Sequence, residues 1–186
     1  MRLISGSAGG IPLEVPKSVT RPTQDRVRQA VFNMLGELIG EARVLDLFAG
    51  SGALGLECLS RGATSALLVD QDRGACEVMK KNIAKTRLEG ATIRQGDVFK
   101  TVTQLATAGS TFDLVFADPP YAHKPGDVDL SAKLAAEDSL LQIIPAGGSL
   151  ILESLVTRNT ATFGERWELV RERDYGSTRI VWLRKR

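Results

Sequence analysis

From Arg43 onward the chain alternates short apolar runs with stretches of helical period, and no other feature narrows its possible folds as far. The apolar runs are RVLDLF (43–48), SALLVD (65–70), ATIRQ (91–95), FDLVFA (112–117) and GGSLILE (147–153). Between them lie ALGLECLSR (53–61), GACEVMKKNIAKT (74–86), VFKTVTQLA (98–106) and LSAKLAAEDSLLQII (130–144), all helical in pattern. Apolar strands that alternate with helices imply parallel pairing through right-handed crossovers, with helices covering both sheet faces. Beyond GGSLILE the pattern changes. WELVRERDYG and STRIVWLRKR read as two strands around a Tyr-Gly-Ser turn, an antiparallel hairpin added to the sheet edge. The expected fold is therefore α/β: a doubly wound, mostly parallel, seven-stranded Rossmann-like sheet with an antiparallel C-terminal hairpin.

Ahead of the sheet, RLIS and PLEV flank the glycine-rich GSAGG, so residues 1–20 read as a small β extension, a hairpin or an arm. Thr23 then opens QDRVRQAVFNMLGELI, in which Val27, Ala30, Val31, Met34, Leu35 and Leu38 recur at helical spacing. At 186 residues the chain has the length of one domain, expected over 21–186, and it contains no internal repeat. No apolar run approaches the roughly 18 residues of a membrane span, and MRLISGSAGG lacks a signal-peptide core, so a cytoplasmic protein is expected. Cys58 and Cys76 have no CxxC or Cys/His partners nearby, which predicts buried thiols and no metal site. Charge is uneven. Residues 1–43 and 158–186 carry +2 and +4, while 44–157 carry −4. Basic flanks around an acidic middle suit a polyanionic partner and a cationic ligand, although scattered solvated charges give the same sums.

FDLVFA ends in Asp118, Pro119, Pro120 and Tyr121. Two prolines cannot continue a ladder, so the strand stops and a stiff loop begins at the carboxyl edge of the sheet, where open α/β sheets place their ligands. The loop offers a carboxylate, backbone carbonyls and an aromatic face. That set suits a flat base with an exocyclic amine: acceptors meet its N–H groups and the ring stacks on Tyr121. The plainer alternative is a strand-ending turn with a packed tyrosine.

A second constellation begins at VLDLFAGSGALGLE (44–57), a strand, a glycine turn and a helix start. Gly50, Gly52 and Gly55 match GxGxxG, and Asp70 ends the next strand twenty residues after Gly50. Small glycines let a ligand approach the backbone, and an acidic group at the second strand end accepts from ribose hydroxyls. Any adenosine-containing cofactor would be served, NAD included. Asp46, four residues before the turn, favours a cationic amino-acid or sulfonium group over a pyrophosphate. Asp97 is placed to accept from an adenine amine. Structural roles compete: Asp46 could orient the glycine loop, and Asp97 could cap the helix that starts near Val98.

With these residues in view, the chain resembles the class I S-adenosylmethionine-dependent methyltransferases, and more narrowly the RsmD family of 16S ribosomal RNA guanine-N2 methyltransferases. The resemblance rests on RPTQDRVRQAVFNML (21–35), LDLFAGSGALGLECLSRGA (45–63), FDLVFADPPY (112–121) and DYGSTRI (174–180), in that order. Asp70 departs from it, since the family favours glutamate there. The resemblance implies a catalytic domain over 21–186 and S-adenosylmethionine held by Asp46, Phe48, Gly50, Ser51, Gly52, Asp70, Gln71, Asp97 and Val98. It further implies an active site of Asp118, Pro119, Pro120 and Tyr121, with Arg21, Arg26 and Arg28 towards the RNA; from the residues alone, Arg26 and Arg28 could hold phosphates, or Asp25 and Arg28 could form an ordinary helix-surface pair. The implied partner is 16S ribosomal RNA within the small ribosomal subunit, acted on by a monomer without a metal or a membrane.

The chemistry expected of such a site is direct methyl transfer to an amine whose lone pair is delocalised into the ring. Asp118 and the Pro119 carbonyl would accept from that amine, and Tyr121 would stack on the base. His123 reads as a solvated loop histidine, because an alkylated amine sheds its proton without a strong base. An adenine-N6 methyltransferase would use the same loop. An NAD-type oxidoreductase leaves DPPY and Asp46 without a role, and a non-enzymatic RNA-binding module would not need the cofactor residues. The basic C-terminal Arg179, Arg184, Lys185 and Arg186 form a solvated edge that could touch RNA.

Overall fold

The computed structural model describes residues 1–16, 25–120, 129–156 and 163–186. Seven strands form one mixed sheet, mostly parallel, with its antiparallel part at the C-terminus. The chain divides into two compact units, Met1–Val98 and Phe99–Arg186.

In Met1–Val98, strands β1 (Arg43–Leu47), β2 (Ser65–Asp70) and β3 (Ala91–Gln95) run parallel in the order β3-β2-β1. Helices α2 (Ala53–Ser60) and α3 (Arg73–Thr86) make the crossovers. Val44, Leu45, Leu47, Leu56, Leu68 and Met79 are sealed from solvent, as expected of a sheet buried on both faces. Asp72 starts α3 as an N-cap, its carboxylate accepting from the N–H groups of Gly74 and Ala75.

Helix α1 (Asp25–Leu35) buries Val27, Arg28, Val31, Phe32 and Leu35. Its sequence pattern continues to Leu38, but the α-helix ends at Leu35 and a 3-10 turn, Gly36–Ile39, follows with Gly36 at φ 52. The tighter turn changes the phase of the side chains. Leu38 is consequently exposed and Ile39 is buried in its place.

Residues 1–16 form a narrow loop closed by an antiparallel bridge between Arg2 and Pro12. It is seated on α2 and α3. Glu57, fully buried on α2, accepts from Ile4 N at 2.6 Å and Ser5 N at 3.0 Å, while Ser60 Oγ accepts from Ala8 N and donates to Ser5 O. Gly6, at φ 81, is indispensable, because a Cβ there would stand 1.8 Å from the Ser60 carbonyl oxygen.

In Phe99–Arg186, β4 (Leu114–Ala117) pairs parallel with β5 (Ser149–Leu155), and β7 (Thr178–Lys185) pairs antiparallel with β5 and with β6 (Trp167–Tyr175). The predicted hairpin is present and turns at Gly176, with φ 63. The predicted single helix over 130–144 is instead α5 (Leu130–Ala136) and α6 (Asp138–Ile143), broken at Glu137 with ψ 118. The break has a tertiary partner. The buried Trp167 indole donates to Ala135 O at 2.8 Å, taking a carbonyl that an uninterrupted helix would use internally.

Candidate active site

The glycine turn and its neighbours lie at the carboxyl ends of β1, β2 and β3. Phe48 leaves β1 with φ 61, a left-handed conformation that a bulky residue adopts only under constraint. Gly50 (φ 54) and Gly52 (φ 76) continue in the same region, where glycine carries no steric penalty. Gly52 then precedes α2, and its N–H closes the turn onto Ala49 O at 2.7 Å. Gly55 serves packing. A Cβ there would lie 2.2 Å from Leu68 Cδ2, so any other residue would force the buried Leu68 side chain to shift or the helix to move away from β2.

Asp46 lies beneath this turn, 2% exposed, with Oδ2 accepting from Gly55 N at 2.9 Å. Burial pushes its carboxyl up to about 7 against the lowering effect of the Gly55 N–H, and the charge of Asp70 adds to the rise. Of the two readings for Asp46, orientation of the loop is the one its contact supports directly. The carboxyl group occupies a first-turn donor of α2 and, when ionised, brings negative potential to the place where a dinucleotide would set its pyrophosphate. That electrostatic arrangement opposes NAD.

Asp70 joins three loops. Its Oδ2 accepts from Gly50 N at 2.8 Å, its Oδ1 accepts from Asp72 N at 2.9 Å, and its carbonyl accepts from Gly96 N at 2.9 Å. Each carboxylate oxygen retains a lone pair, enough to accept from vicinal hydroxyls. Gln71 and Asp97 are exposed beside it, Ser51 is 5% exposed, and Val98 is buried as the first residue of α4 (Val98–Thr107). Acceptors for hydroxyls and an amine, a backbone free of side chains and a buried carboxylate could together hold an adenosine carrying a cationic tail.

In Phe99–Arg186, all four residues of β4 are buried and the strand ends at Ala117, as the two prolines require. Asp118 is half-buried, Pro119 buried and Pro120 exposed. Ala117 pairs with Leu152, so Asp118 follows β4 at the level where Glu153, 8% exposed, continues β5. Tyr121, His123, Arg21 and Thr23 lie outside the described residues.

The proposed RNA contacts separate. Arg26 is exposed, as a phosphate contact requires. Arg28 is 1% exposed, and one guanidinium nitrogen, Nη2, donates to Arg2 O at 2.5 Å and Asp25 Oδ1 at 2.9 Å. A buried guanidinium cannot meet a phosphate on a macromolecule, so Arg28 is corrected from RNA contact to an internal tie between α1 and the arm. The C-terminal edge is also engaged within the protein. Arg179 pairs with Asp174 and Glu172, Arg184 with Glu168, and Lys185 Nζ donates to Leu141 O and Ile144 O.

Sequence reasoning missed Asn82 on α3. It is fully buried, accepts from Glu14 N at 2.8 Å and donates to Glu14 O at 3.0 Å and Ser51 O at 2.9 Å. An asparagine late in a charged helix carries no local mark of such partners.

The family model described as "Conserved hypothetical protein 95" matches residues 1–184 of this chain. "Ribosomal RNA small subunit methyltransferase D" of Escherichia coli (strain K12) is 38% identical over 178 residues, 95% of this chain and 85% of that protein. The chain belongs to the RsmD family. Within the family, "Putative rRNA methyltransferase YlbH" of Bacillus subtilis (strain 168) is 35% identical over 189 residues, covering 100% of both chains. Among solved structures, "Putative methyltransferase yhhF from Escherichia coli" superposes with a TM-score of 0.83 at 33% identity, covering 100% of this chain and 97% of that one. The chain thus has the class I methyltransferase fold. Among the described residues no helix is long and apolar enough to cross a membrane, and no His, Cys, Asp and Glu residues group as metal ligands.

Proposed function

We propose that the protein transfers a methyl group from S-adenosylmethionine to the exocyclic N2 amine of a guanine in small-subunit (16S) ribosomal RNA, acting as a monomer on the assembled subunit. One observation carries the reading: in an RsmD-family chain, a half-buried carboxylate and a proline-stiffened backbone end β4, a set of acceptors suited to an amine. Asp118 and the Pro119 carbonyl accept from the two N–H groups of the amine and draw its lone pair out of conjugation, while Tyr121 stacks on the base and Pro120 fixes the loop. Such positioning by preorganised acceptors is the main source of acceleration in this chemistry. When bound, the donor would supply an electrophilic methyl carbon on a sulfonium: the amine nitrogen would bond to that carbon as the carbon–sulfur bond breaks, S-adenosylhomocysteine would leave as a neutral thioether, and the alkylated nitrogen would shed its extra proton to solvent. Asp70 accepts from the ribose hydroxyls, Gly50, Ser51 and Gly52 let the donor lie against bare backbone, and Phe48, Gln71, Asp97 and Val98 border the adenine. Asp46 orients the turn and, when ionised, supplies negative potential for the cationic tail. Arg21 and Arg26 face RNA phosphates, and the target nucleotide leaves its stack to reach the loop.

The test supplies labelled methyl donor and enzyme to small subunits from cells lacking the protein, alongside naked RNA and DNA, and identifies the methylated nucleoside by mass spectrometry. N2-methylguanosine on the subunit is expected. N6-methyladenosine would overturn the choice of base, and calorimetry showing tight NAD binding without S-adenosylhomocysteine binding would overturn the reaction class.

A further inference from the structure

We propose that Asn82 is a positioning residue for the donor site, coupling the N-terminal loop to the glycine turn so that the donor binds tightly only while residues 1–14 are seated. The proposal rests on the reading that this turn holds the donor. Ser51 stands between Gly50 and Gly52, both at positive φ, so the turn has little stiffness of its own. Its carbonyl is held from outside by Asn82 Nδ2 at 2.9 Å. The same amide grips Glu14 at both backbone groups, and its orientation is forced, because the reversed amide would set its oxygen against two carbonyls. On its other side Ser51 Oγ donates to Met1 Sδ at 3.5 Å. Both ends of the loop therefore bear on one residue of the turn. Met79, one turn of α3 before Asn82, closes the contact, its Cγ lying 3.2 Å from where a Gly52 Cβ would be.

The seat of the loop on Glu57 and Ser60 lies apart from Asn82 and offers an independent handle. Loss of the seat frees Glu14, and loss of Glu14 leaves Asn82 with one partner. Thermodynamic reciprocity then requires that donor binding tighten the loop by the factor with which the loop tightens the donor.

Two variants and one ligand test this. Asn82→Leu preserves burial but removes the link, while Gly6→Ala strikes the seat, where a Cβ would meet Ser60 O at 1.8 Å. S-adenosylhomocysteine affinity is measured by calorimetry, and hydrogen exchange at Ile4, Ser5, Ala8 and Glu14 is followed with and without that ligand. Each variant is expected to bind about tenfold more weakly, and the double variant no more weakly than the worse single one. In the wild-type protein the ligand should slow exchange across the loop. Wild-type affinity in either folded variant, or loop exchange indifferent to the ligand in the wild type, would overturn the coupling. If Asn82→Leu does not fold, Gly6→Ala and the wild-type exchange decide. Absence of any S-adenosylhomocysteine binding to the wild type would overturn the donor site itself, a result distinct from the other two.

Discussion

Asp46 holds its proton in the folded protein at a pH where the unfolded chain would release it, since burial pushes its carboxyl up to about 7. Because the folded value is raised, its contribution to stability is fully present below about pH 4 and is lost as pH rises through about 7. Asp46→Asn keeps an acceptor for Gly55 and cannot ionise. The stability of the wild type relative to this variant should fall between roughly pH 4 and 7, with a limiting slope near 1.4 kcal/mol per pH unit, and level off above that range. Denaturant unfolding across pH measures it, and a constant difference would contradict the buried carboxyl. Asp118 makes the complementary case at the other constellation. Asp118→Ala should lower methyl transfer about 100-fold or more while S-adenosylhomocysteine affinity stays within about twofold. Near-normal transfer by a folded Asp118→Ala would remove this residue from the active site.

The strands were legible because each is an apolar run bounded by turn residues, and the glycine turn because its pattern and spacing are local. The broken helix was not, for the group that takes the carbonyl freed at the break is a tryptophan 32 residues away. Trp167→Phe keeps an aromatic ring but removes the N–H and part of the buried indole, leaving Ala135 O without that partner and a cavity beside it; a loss of about 2–4 kcal/mol in denaturant unfolding is expected. Arg28 shows a different limit. Its charge suggested the surface, yet Arg28, Phe32 and Leu35 follow one another along the buried face of α1, so the helical period itself held the correction. Asn82 and Glu57 were beyond reach, since they meet backbone groups 31 to 68 residues distant in sequence. Gly55 could be read as part of a motif, but its function in packing could not. Gly55→Ala should cost about 1–3 kcal/mol through overpacking against Leu68, visible as a lower melting temperature.

At the scale of the whole molecule, basic flanks suggested two surfaces for a polyanion, and the contacts distinguish them. Arg179 and Arg184 answer carboxylates and Lys185 answers carbonyls around α6, whereas Arg26 is exposed. Arg26→Ala should weaken RNA binding and reduce the dependence of log K on log salt by about one unit. Replacing Lys185 and Arg186 with alanine should leave that slope unchanged while lowering stability, because Lys185 holds the last carbonyls around α6. Equal slopes for wild type and Arg26→Ala would move the RNA footprint elsewhere. The seated N-terminal loop also has a practical consequence. Met1 Sδ lies 3.5 Å from Ser51 Oγ, so any affinity tag or fluorescent fusion joined ahead of Met1 starts beside the glycine turn. Titrations made on such a fusion would report the tag's interference as though it were the enzyme's own weakness for its donor.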